Sequence, residues 1–96
     1  MSAHIPVLQE EVAALLRPRP GGRYLDATVG LGGHAEAILR ASAPTGIVIG
    51  FDCDAEALEV TRQRLADFGE RLILRQGRYE ALAELVESPG GFDGIL

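Results

Sequence analysis

Arg23-Tyr24-Leu25-Asp26-Ala27-Thr28-Val29-Gly30-Leu31-Gly32-Gly33-His34, with Ala35, Ile38 and Leu39 following at helical spacing, reads as strand, glycine-rich loop and helix. The helix is expected to break near Pro44 and Gly46. Downstream, Ile47-Val48-Ile49-Gly50-Phe51 is an unbroken run rich in β-branched residues. Such a run suits a strand covered on both faces in a parallel sheet, and Asp52 stands at its carboxyl end. A helix is predicted from about Asp54, which caps it, with Glu56 in the first turn and Leu58, Thr61, Leu65 and Phe68 along one side. Arg71–Gln76 supplies a third strand and Gly77 a turn; Tyr79–Glu87 is a third helix with Leu82, Leu85 and Val86 facing inward. After Pro89-Gly90-Gly91, the run Phe92-Asp93-Gly94-Ile95-Leu96 opens a fourth strand.

Alternating strands and helices in this order predict an α/β fold, a doubly wound and mostly parallel sheet cut off after the start of its fourth strand. Upstream, Pro6, Leu8, Val12, Leu15 and Leu16 predict a first helix with one apolar stripe, stopped by Arg17-Pro18-Arg19-Pro20-Gly21-Gly22. The expected division is therefore a helix and linker over residues 1–22 and the sheet over residues 23–96. With its remaining strands missing, the sheet is expected to expose an edge and an apolar face.

Composition narrows the function. The chain has 96 residues, and no run approaches the ~20 apolar residues that span a bilayer. Met1-Ser2-Ala3-His4 lacks the basic start and apolar run of a secretory signal, which points to the cytoplasm. The single cysteine, Cys53, forms no internal disulfide and no metal cluster, and reads as a small filler beside Asp52. The formal net charge of −5 has the wrong sign for gripping phosphates, so an RNA substrate would be held mainly by other parts of a protein.

In doubly wound sheets ligands sit beyond the carboxyl ends of the strands, where helix amino termini point bare amides into a crevice. Two groups fall there. One is Gly30-Leu31-Gly32-Gly33-His34, whose missing Cβ atoms let a ligand approach the backbone. The other is Asp52, whose carboxylate can accept from the vicinal hydroxyls of a ribose. Together they indicate a nucleoside-containing cofactor. The glycines do not follow the strand as G-x-G-x-x-G, and the chain contains no lysine, so neither a dinucleotide fingerprint nor a P-loop is present. Asp26 either contacts the ligand or caps and orients the glycine loop. His34, at a helix start, reads as a ligand-positioning group in preference to a general base, and Tyr79 on an apolar helix reads first as core.

Four blocks in order, His4-Ile5-Pro6-Val7-Leu8, Asp26 to His34, Gly50-Phe51-Asp52-Cys53-Asp54 and Phe92 to Leu96, resemble the bacterial small-subunit ribosomal RNA methyltransferase H family over nearly the whole chain. The block D-x-T-x-G-x-G-G-H is the specific one. The resemblance implies a Rossmann-like class I methyltransferase fold, S-adenosylmethionine as cofactor, and methyl transfer to N4 of a cytidine in 16S ribosomal RNA. It implies that Gly32, Gly33 and His34, beside Gly30 and Asp26, meet the methionine end of the cofactor and that Asp52 holds its ribose. Tyr79 then matches an aromatic position near the adenine. The chain departs from the family at Cys53, often arginine, and at Arg78, often asparagine. The family continues past the fourth strand into further catalytic and substrate-binding blocks, so catalytic residues are not assigned. The contrasting expectation is a catalytically inactive, truncated interaction module whose sheet edge pairs with a partner chain.

Overall fold

The computed structural model describes residues 11, 14–87 and 90–96, without the side chain of Tyr79. Four parallel strands form one sheet: β1 (Arg23–Asp26), β2 (Ile47–Asp52), β3 (Leu72–Gln76) and β4 (Gly94–Ile95), in the spatial order β3-β2-β1-β4. Three α-helices connect them: α1 (Gly33–Ala41), α2 (Ala55–Arg64) and α3 (Tyr79–Val86). The order reverses at β1, since β2 and β3 extend the sheet to one side and β4 to the other. That is the doubly wound pattern expected from the sequence, and the reversal point is where such sheets open a crevice.

Alternation along the strands divides the core. Tyr24 and Val48 point to one face and pack with Ile38 and Leu39 of α1, Leu58 of α2 and Leu65. Leu25, Ile49 and Phe51 point to the other, against Ile73 and against Leu82 and Leu85 of α3. β2 is buried through its four central residues, because its β-branched run lies between both layers. Gly50 is required there: a Cβ would come within 2.9 Å of Val29 and 3.0 Å of Leu74.

Three expectations are corrected. The helix after Asp54 does not continue to Phe68; it ends at Arg64, and Ala66–Arg71 forms a 3-10 segment broken at Gly69, whose φ of 58° and ψ of −132° no helix accepts. Phe68 still packs against the core cluster that holds Leu58 and Leu65, and the guanidinium groups of Arg40 and Arg71 lie 5.6 and 5.7 Å from its ring centroid. Val86 is exposed, leaving Leu82 and Leu85 as the inward residues of α3. Leu15 is also exposed, whereas Leu16, the other described leucine of the proposed first stripe, packs on the core. Residues 14–16 form a helical turn, whereas His4, Pro6, Leu8 and Val12 lie outside the described residues. No described helix is long and apolar enough to cross a membrane.

Candidate functional site

The carboxyl ends of β1 and β2 lie side by side, since Asp26 pairs in register with Gly50, two residues before Asp52. The glycine loop leaves β1 and folds over the end of β2: the Val29 amide donates to the Phe51 carbonyl at 2.8 Å. One residue later, the Gly30 amide donates to Oδ2 of Asp52 at 2.9 Å, while the Asp54 amide donates to Oδ1 at 3.0 Å. Two backbone donors therefore fix the Asp52 carboxylate. Each of its oxygens has two acceptor sites and uses one for these bonds, so one on each remains for a ligand hydroxyl.

The loop then turns through Gly32, whose φ of 90° lies in the left-handed region. A Cβ there would also come within 2.9 Å of Leu65 and of Thr61. The first backbone bond of α1 runs from the Glu36 amide to the Gly32 carbonyl, and no described side chain caps this helix. The amides of Gly33, His34 and Ala35 precede that bond at the positive end of the helix, a suitable place for an anionic group. Gly33 is buried and His34 half-buried.

Asp26 is 3% exposed. Burial pushes its carboxyl above the ordinary aspartate value, the Thr28 amide and nearby His34 pull it down, and the Asp52 charge adds to the rise. Its Oδ1 accepts from the Thr28 amide at 3.3 Å. This bond ties the end of β1 to the start of the glycine loop.

Beyond Asp52 a cavity of about 320 Å³ opens between the ends of β1 and β2 and the start of α3. Its walls include Ala27, Phe51, Cys53, Gly77 and Leu82, with Arg78 and Glu80 also lining it. Gly77 is tightly packed on this wall, since a Cβ would lie 3.2 Å from the Phe51 ring and 2.9 Å from Ala81. Tyr79 begins α3 beside this cavity, and its side chain lies outside the described residues. Of the sequence-derived candidates, Asp26, Gly30, Gly32, Gly33, His34 and Asp52 are thus brought to one end of the sheet. Phe51, Gly77 and Leu82 were not singled out from sequence as lining residues; their signal is position, at a strand end or on the inward side of α3.

A family model described as the MraW methylase family matches residues 1–96. The chain belongs to the MraW methylase family. Ribosomal RNA small subunit methyltransferase H of Geotalea uraniireducens is 50% identical to this MraW-family chain over 95 residues, which are 97% of the chain and 30% of that relative. The chain therefore spans about a third of the length of the curated relatives it matches. Among solved structures, TrmN from Thermus thermophilus superposes with a TM-score of 0.73 at 27% identity, over 86% of the chain and 25% of TrmN. A SAM-dependent O-methyltransferase from Thermotoga maritima gives 0.74 at 22% identity, over 84% of the chain and 31% of that protein, a likeness of fold alone. The MraW-family chain thus has the Rossmann-like methyltransferase fold expected of it.

Proposed function

We propose that this chain is the donor-binding, amino-terminal part of an S-adenosylmethionine-dependent methyltransferase that modifies N4 of a cytidine in 16S ribosomal RNA. Family membership and 50% identity to a ribosomal RNA small subunit methyltransferase H support the reaction class. The observation that carries donor binding is Asp52: a carboxylate fixed by two backbone amides, with one acceptor position left on each oxygen, at the mouth of a cavity.

The residues present fit such a donor. Asp52 is placed to accept from the two ribose hydroxyls. The apolar walls from Ala27, Phe51 and Leu82 suit a purine ring, and Tyr79 adds an aromatic residue at the start of α3. Gly30 has open space where a side chain would stand, and the first amides of α1, from Gly33 on and with His34, suit the carboxylate of an amino-acid tail. Asp26 holds the loop through Thr28.

S-adenosylmethionine, when bound, supplies a methyl group on a positively charged sulfur, already strongly electrophilic. The protein's task is alignment rather than activation. Asp52 and the glycine loop fix the two ends of the donor, so that its methyl is presented in one direction. The acceptor amine must be brought to that methyl by splaying the nucleotide out of structured RNA. With a net charge of −5, this chain is not the main grip on RNA, and we infer that the 96 residues alone do not turn over.

The test is methylation by the complete protein of small ribosomal subunits, followed by nuclease digestion and mass spectrometry. N4-methylcytidine is expected. Methyl groups found only on another base or on ribose would refute the assignment.

A further inference from the structure

The glycine loop is held from two sides. At Gly30, the amide is bound by Asp52, while the carbonyl accepts from the Thr61 hydroxyl at 2.7 Å. Thr61 lies in the middle of α2, 31 residues further along the chain, and is fully buried. One turn later, the Arg64 guanidinium donates to the next carbonyl, that of Leu31, and to the carboxylate of Glu36 in the first turn of α1. Neither Thr61 nor Arg64 lines the cavity.

Peptide planarity gives these bonds a consequence. In a trans peptide the N–H points opposite the C=O, so a carbonyl drawn toward α2 turns the following amide away from it. Thr61 therefore sets the direction of the Leu31 amide, and Arg64 that of Gly32, whose N–H is also bonded to the Val29 carbonyl at 2.8 Å. The Thr61 methyl lies 2.9 Å from where a Cβ on Gly32 would stand, so it leaves room there for glycine alone. A threonine in a helix interior has poor propensity and a hydroxyl that otherwise competes for the helix's own carbonyls. Here that hydroxyl is used on another element.

We infer that Thr61, assisted by Arg64, is a positioning residue for donor affinity: from the far side of the loop it fixes the peptide planes that meet the methyl donor. This inference rests on the donor-binding reading above. Valine has the shape of threonine without the hydroxyl, and serine keeps the hydroxyl without the methyl, so the two substitutions separate the bond from the packing.

The experiment is titration of the complete protein and of its Thr61→Val, Thr61→Ser, Arg62→Ala and Asp52→Ala variants with S-adenosylhomocysteine, together with KM for donor and for RNA. Loss of one hydrogen bond to the loop predicts that Thr61→Val weakens donor binding and raises donor KM about three- to tenfold. Thr61→Ser should stay within about twofold of wild type, as should KM for RNA and the exposed control Arg62→Ala. Wild-type donor affinity in Thr61→Val, or equal losses in the valine and serine variants, would overturn the role of the hydroxyl while a defect in Asp52→Ala left donor binding standing. Unchanged affinity in Asp52→Ala would overturn the donor-binding reading itself, and this inference with it.

Discussion

The Gly30 amide donates to Oδ2 of Asp52 across the gap between two strand ends, at 2.9 Å. This bond links the loop after β1 to the acid after β2, so neither half of the site can shift without the other. A loop held in this way loses little entropy when a ligand binds it, which is the basis of preorganised affinity.

Glycine substitutions should separate backbone strain from crowding. Gly30 and Gly32 both have positive φ, but a Cβ on Gly30 meets open space while one on Gly32 meets Leu65 and Thr61. Gly30→Ala should cost about 1–2 kcal/mol of stability from the left-handed backbone alone. Gly32→Ala should cost about twice that, because overpacking adds a comparable amount. Urea denaturation of the complete protein measures both, and equal losses would show that the site under Gly32 relaxes.

Burial of Asp26 gives a pH signature. Its carboxyl is raised by burial, and further by Asp52, against the opposing pull of the Thr28 amide and His34. An acid raised in the folded state is still protonated there when the unfolded chain has ionised, so this group's contribution to stability is present at low pH and falls as pH rises. The fall begins near the ordinary value of 3.8 and ends above the raised folded value. Asp26→Asn removes this loss and keeps an oxygen for the Thr28 amide. Its stability relative to wild type should therefore climb with pH across that window, in urea midpoints taken from pH 3 upward, a range of order set by the aspartate reference value. A constant difference would contradict the burial effect.

Much of this was legible in the sequence because it rests on local chemistry. The β-branched run before Asp52 forms the buried strand predicted for it, and Asp54 caps α2 by accepting from the Glu56 and Ala57 amides, as expected of an aspartate there. The illegible parts are tertiary. Gly69 breaks the 3-10 segment after α2 through a backbone angle that sequence spacing does not reveal, and Phe68 meets two arginines from different elements. At the site, Asp52 and the glycine loop stood out by type and position. Thr61 did not, because a threonine on the buried side of a helix looks like core until its partner 31 residues away is known.

Arg71 should matter more than its chemistry suggests. Its guanidinium donates to the carbonyls of Gly46, at 2.8 Å, and Leu39, tying the end of α1 to the start of β2 while it lies over Phe68. Arg71→Ala is expected to lower stability by about 2 kcal/mol, since charged donors to partly buried carbonyls are lost together. Arg71→Lys should recover only part, because an ammonium lacks the planar fork. Chemical denaturation checks both, and a loss no larger than that of Arg62→Ala, about 0.5 kcal/mol or less, would contradict this role.

The edge position of β4 in the described sheet predicts how the 96 residues behave in isolation. β4 is joined to β1 through two residue pairs, and Ile95 is 49% exposed. The isolated chain should unfold over a broad range of urea, with the β4 amides exchanging fastest among those of the sheet. A sharp cooperative transition, with β4 protected as well as β2, would contradict this.

Titration of S-adenosylhomocysteine into the complete protein, wild type against Asp52→Ala, tests donor binding at the ends of β1 and β2 most directly. Removing the carboxylate leaves the ribose hydroxyls without their charged acceptor and the Gly30 amide without its partner, so affinity should fall at least about tenfold. Affinity unchanged by Asp52→Ala would mean that the donor does not bind at these strand ends.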